Sequence, residues 1–271
     1  MNVLRELQTA VEKCSLHSLD EAVAYYHGVD DNFYNDLANL RCSNFGTCHS
    51  DGDAKVNSKV FAYFNEMQNY IRNDKCKEAG LLVEEIARQM WIPMIQGTLR
   101  YAWILSDQNP SSFITSKGHQ ASGAIFAAGI LPMLEKCNAV SSDIVYRNMK
   151  VRETGVIDDF PAIKTAFETC YKYLGITCDD VGGIMNEERT DYASPLTRPC
   201  IDSHSAKASS GGGKGKLVIG ILFLILFVVA IGSVFMYQRA SSSSGKQPTD
   251  DPKEAPPEQP LGPPKPTAEV V

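Results

Sequence analysis

A carboxylate, two phenols and an imidazole fall within seven residues: Glu21, Tyr25, Tyr26 and His27. Glu21 and Tyr25 are four apart, so a helix would put them on one face. Anionic oxygens beside an imidazole are ligands that a hard ferric ion accepts. The same tyrosines also suit packing, with the ring half-buried and the hydroxyl wet. A second group, Gln96 to Tyr101, follows Pro93. Gln96 and Arg100 are again four apart. Arg100 can hold an anion through its forked guanidinium, and Tyr101 can ligate a metal. The competing assignment pairs Arg100 with an acid and puts Tyr101 in the core. His119 follows Lys117 and Gly118 where a further helix opens, and backbone amides favour anions there. Taken alone, His119 reads as a surface residue.

Other chemistries find no support. The chain has no nucleophile elbow, Walker loop, paired-histidine zinc motif or dinucleotide fingerprint. The five histidines are scattered, and the net charge is −6 with no basic stripe for nucleic acid. The chain therefore reads as a binding protein rather than an enzyme.

The elements that must position these residues are helical. Residues 2–13 carry Leu4, Leu7 and Val11 at helical spacing. Ser18 and Glu21 fit a capping box that opens a helix over 19–28, closed by Gly28. A helix is expected over 31–41. Over 55–73, Val56, Val60, Phe64 and Met67 form one stripe. The segment 76–105 is the longest, and Pro93 is expected to kink or split it, since a mid-helix proline lacks an amide hydrogen. A small-residue helix follows over 118–136, then helices over 141–150 and 160–174, the last closed by Gly175. No strand pattern occurs. The fold class is all-α and multi-helix.

Eight cysteines lie in the first 200 residues: Cys14, Cys42, Cys48, Cys76, Cys137, Cys170, Cys178 and Cys200. An even number without any C-x-x-C pair suits disulfides in an oxidising compartment better than zinc. Spacing cannot choose among the about 105 connectivities of eight cysteines. The close pairs Cys42/Cys48 and Cys170/Cys178 are the simplest expectation.

The run over 217–237 is 21 uncharged residues. At about 1.5 Å per residue it matches the roughly 30 Å bilayer core. A Gly/Ser/Lys linker over 203–216 precedes it. A tail over 238–271, with eight prolines and no aromatic residue, follows it and reads as disordered. These boundaries leave 1–202 as the folded part. Lys207, Lys214 and Lys216 before the span, against Arg239 and Lys246 after it, weakly favour a cytosolic folded part. The cysteines favour the opposite. The first residues hold no apolar stretch of about 7–15 residues, so no secretory signal is read there.

Taken in order, LDEAVAYYHG, LANLRCSNFGTC, AKVNSKVFAYF, IPMIQGTLRYA, GAIFAAGILPMLEKC, IVYRNMKV and LGITCDDVGGI resemble the algal iron-assimilating domain. That domain, also called the low-iron-inducible periplasmic protein domain, is the unit of the phytotransferrins. The resemblance covers nearly all of the folded part. It implies a cell-surface protein that binds Fe(III) with carbonate as synergistic anion, carries a C-terminal membrane anchor and delivers iron by endocytosis. The folded domain would lie outside the plasma membrane, with the tail in the cytosol facing the endocytic machinery. On this resemblance Glu21, Tyr25, Tyr26 and Tyr101 would hold the metal and Arg100 or Arg41 the anion, with His27, Gln96 and His119 as accessory residues. Phytotransferrins have two or more such domains behind a signal peptide, so the expectation is a C-terminal portion of a longer protein. The family pattern often has an acid before the glycine of the small-residue helix, where this chain has Ser122 before Gly123. That departure motivates an alternative: a structural or adhesive surface domain of the same ancestry without a working metal site.

Overall fold

A computed structural model describes residues 2–28, 33–109, 117–151 and 159–201. The linker, the apolar run and the tail expected over 203–271 lie outside the described residues. No helix among the described residues is long and apolar enough to cross a membrane.

The described chain is helical and has no strand beyond two isolated bridges, Cys48 with Ala54 and Met185 with Tyr192. The helices are α1 (Asn2–Glu12), α2 (Leu16–His27), α3 (Tyr34–Phe45), α4 (Lys55–Arg72), α5 (Cys76–Ile104), α6 (Lys117–Cys137), α7 (Ala139–Met149), α8 (Phe160–Leu174) and the short α9 (Cys178–Val181). The central element is α5, which packs against α1, α3, α4, α6 and α8. Its sequence explains that place. Ile86, Met90, Ile95, Leu99 and Trp103 are all buried, as are Ile92 and Ala102 on its other faces. A helix that is apolar nearly all round must be covered nearly all round. By contrast, α4 buries the single stripe Val56, Val60, Phe64, Met67 and Ile71.

Several expectations need correction. Ser18 does not cap α2. The helix starts one turn earlier, where Ser15 adopts an extended backbone and its Oγ accepts from the Ser18 amide at 3.2 Å. Ser18 itself is buried inside the helix. The next helix runs through Phe45 rather than ending at 41. Gly46, with φ of 67°, takes the left-handed conformation that stops it. Pro93 does not split α5, which is continuous from Cys76 to Ile104. The missing Pro93 amide deprives the Gln89 carbonyl of its helical donor. One residue on, the Tyr34 hydroxyl donates to the Met90 carbonyl and ties α3 to this weakened turn.

All eight cysteines are paired. Cys42 joins Cys48 as expected. Cys170 does not join Cys178: it faces inward from α8 and bonds Cys137 at the end of α6. Cys178, beyond the Gly175 turn, bonds Cys200. The fourth bridge, Cys14 to Cys76, closes a separation of 62 residues and ties the start of α5 to the end of α1. Each such closure is worth about 2–4 kcal/mol.

Candidate functional site

Three helices converge on Arg41. It comes from α3, while α5 brings Arg100 and Tyr101 and α6 brings His119 and Phe126. Arg41 is only 4% exposed. Its guanidinium carbon lies 5.5 Å from the centre of the Tyr101 ring and 4.9 Å from that of Phe126. The two rings stack on each other at 5.8 Å. His119 lies with its ring 5.9 Å from that of Tyr101. Cation–ring contacts of this kind are worth about 0.5–2 kcal/mol when desolvated.

Two glycines make the convergence possible. A Cβ on Gly97 would come within 2.4 Å of the Phe126 ring, and one on Gly123 within 3.0 Å of the Tyr101 Cβ. Small residues here let α6 settle onto α5 with its aromatic ring over the arginine. Ser122 directly precedes the glycine at which an added Cβ would meet Tyr101.

Arg41 Nη1 donates to Asn44 Oδ1 at 3.2 Å, but its buried Nε has no partner among the described residues. Burial lowers the Arg41 pKa, against a hydrogen bond to Tyr101 that raises it. Arg100 is lowered by burial first, then by the nearby charge of Arg41, with Arg189 adding to the effect. Among the described residues no carboxylate lies within ion-pair distance of any of these three arginines. Of the three only Arg41 is buried, and a buried cation without counter-charge costs several kcal/mol. An anion placed against Arg41 would offset that cost, with the Tyr101 phenol beside it.

The other expected ligands lie elsewhere. Tyr26 is fully buried against Tyr34, Phe61 and Phe64. Its hydroxyl donates to Asn57 Oδ1 at 2.7 Å, and Asn57 Nδ2 in turn donates to the Asn35 carbonyl and to Asn39 Oδ1. Burial pushes the Tyr26 pKa far up, which disfavours the phenolate a ferric ion would need. Glu21 and Tyr25 do share a face, but on the outside of α2. Glu21 stands 3.5 Å from His17, and Tyr25 is 40% exposed. His27 is exposed and meets the Phe61 ring edge-on. Gln96 is buried and donates to Thr47 Oγ1 and to the Val181 carbonyl, so it knits α5 to α9. Thus Tyr101, Arg41, Arg100 and His119 are brought together, and Glu21, Tyr25, Tyr26, His27 and Gln96 are not part of that group. Among the described residues no group of three or more His, Cys, Asp or Glu could hold a metal.

Sequence reasoning missed Phe126, Asn44 and Arg189. Asn44 lies three past Arg41 on α3, beyond the end of the 31–41 helix that the sequence led us to expect. Arg189 sits at a positive φ of 57° in an irregular turn, and no periodicity signals it. Beside Arg100 the end of α5 and the 184–193 segment line a cleft of about 330 Å³ that is open to solvent. No family model, no curated protein and no solved structure matches this chain.

Proposed function

We propose that the chain is a membrane-anchored, cell-surface protein that binds ferric iron for high-affinity uptake, with carbonate as the synergistic anion. The observation that carries this reading is the buried Arg41, with its Nε unpartnered among the described residues, beside the Tyr101 phenol. Fe(III) requires anionic oxygen ligands, and carbonate supplies them only where cations hold it. In this reading Arg41, helped by Arg100, holds the carbonate. Tyr101 supplies a phenolate oxygen, and His119 is the accessory group next to it. Glu21, Tyr25 and Tyr26 drop out of the centre for the geometric reasons above. Protonation of the carbonate and the phenolate in an acidified endosome would release the iron. The anchor is the 217–237 run, with the folded part outside and the Pro-rich tail in the cytosol. The protein acts by binding, without catalysing a reaction. The test is quantitative metal analysis of the full chain after exposure to Fe(III), with and without bicarbonate. Stoichiometric iron retained only with bicarbonate supports the reading, and no retention in either condition refutes it.

A specific observation favours a second reading. The Tyr26 network is closed and the metal set expected from the sequence is dispersed. A structural or adhesive ectodomain that kept the family frame and lost the metal would look this way. In that case alanine at Tyr101 changes stability while iron retention is nil throughout.

A further inference from the structure

The open cleft of about 330 Å³ beside Arg100 is far larger than carbonate needs and lies within the size range of small-molecule sites. Its lining carries both signs of charge. Arg100 stands on one wall, and Glu187 and Glu188 come from the 186–191 turn. Neither glutamate makes an ion pair among the described residues, with Arg100 or with any other cation. Between the charges the wall is apolar, with Trp103, Ile184 and Met185.

The acidic wall is braced rather than loose. The Asn186 amide donates to the Asp191 carbonyl at 2.8 Å, and Asn186 Oδ1 accepts from the Thr190 amide at 2.9 Å. The Cys178–Cys200 bridge encloses the whole segment. A simple anion entering here would satisfy Arg100 but face two carboxylates. A simple cation would meet the reverse problem. A molecule with a carboxylate, an ammonium group and an apolar body complements Arg100, the two glutamates and the apolar wall together.

We propose that this cleft binds a free apolar α-amino acid, its carboxylate on Arg100, its ammonium group on Glu187 and Glu188, and its side chain on Trp103, Ile184 and Met185. This site does not require the iron reading. It shares only Arg100 with it, and the test uses iron-free protein in bicarbonate-free buffer so that the two are read separately.

The test titrates the full chain in detergent micelles with each apolar L-amino acid, following tryptophan fluorescence and binding heat. The expected result is saturable binding of at least one of them. Its N-acetyl form and its amide each bind about tenfold more weakly or worse, because each removes one charge from a complementary pair. Arg100→Gln and the double change Glu187→Gln, Glu188→Gln each weaken binding by a similar factor. The glutamates are exposed, so the double variant keeps its melting temperature and reports on binding alone. The proposal is overturned if no apolar amino acid binds. It is equally overturned if the N-acetyl form binds as tightly as the parent, or if the double glutamate variant binds undiminished.

Discussion

Arg41 on α3 reaches across to α5 and lies with its guanidinium carbon 5.5 Å from the centre of the Tyr101 ring, buried and, among the described residues, without a carboxylate partner. A fold seldom desolvates a guanidinium and leaves one of its donors unused, because the isolated charge is destabilising. The arrangement makes sense when an anion completes it.

Arg41→Met should therefore separate function from stability. The variant keeps the apolar stem and removes the buried charge. Its unfolding free energy should stay within about 1 kcal/mol of the parent or exceed it. Bicarbonate-dependent iron retention should fall at least about tenfold, in line with the loss of a buried charged contact. Denaturant unfolding and iron titration check the two halves. A large loss of stability would mark Arg41 as a structural residue instead.

Tyr26→Phe should behave in the opposite way. It removes the hydroxyl that donates to Asn57 Oδ1 and leaves that buried acceptor short of a partner. The cost should be about 1–3 kcal/mol, measured by denaturant unfolding. Iron retention should not change, because Tyr26 lies in the core and outside the Arg41 group.

Asp180 gives a pH signature. Burial raises its pKa, but hydrogen bonds from Lys59 and Thr177, with the Lys59 charge, outweigh burial and hold it below the usual carboxylate value. The Lys59 ammonium donates to Oδ1 at 2.7 Å and the Thr177 amide to Oδ2 at 3.0 Å. A depressed folded pKa means that the stability is present above the unfolded value and lost as pH falls through the folded one. Asp180→Asn should cost about 1 kcal/mol near neutral pH. The difference from the parent should shrink as the pH drops below about 4. Thermal unfolding across that range is the check.

The disulfide pattern is directly testable. Non-reducing peptide mapping should recover Cys137 linked to Cys170 and Cys178 linked to Cys200, with no Cys170–Cys178 peptide. Replacing both Cys178 and Cys200 by serine should cost about 2–4 kcal/mol.

Much of the frame is legible in the sequence. The α4 stripe is a plain 3.6-residue period, and Gly175 stops α8 at positive φ as expected, whereas Gly46, which stops α3, was not read from the sequence. The inward turn of Tyr26 was also available: Leu19, Ala22 and Tyr26 are the buried positions at three- and four-residue intervals on α2. Tyr25, on the same face as Glu21, could not share that stripe. The Cys137–Cys170 bridge was not legible, because it depends on the ends of α6 and α8 meeting across more than thirty residues of chain. Nor was the burial of Arg41. That burial depends on Phe126 reaching over Gly97, and no local pattern in α3 records it.

Ser122 offers a gain-of-function test. It precedes Gly123, where an added Cβ would come within 3.0 Å of the Tyr101 Cβ. Ser122→Glu puts a carboxylate on the turn next to the proposed centre. Iron affinity with bicarbonate should rise by about tenfold, the equivalent of one added charged ligand contact worth about 1.4 kcal/mol. An unchanged affinity would place that position outside the metal's reach.

The central claim is that Tyr101 and Arg41 together hold ferric iron with carbonate. The most direct measurement is the visible spectrum of the full chain titrated with Fe(III) in the presence and absence of bicarbonate, alongside Tyr101→Phe. The account predicts a phenolate-to-iron charge-transfer band that needs bicarbonate and disappears in Tyr101→Phe. A parent protein that stays colourless with bicarbonate, or a band that survives in Tyr101→Phe, would contradict it.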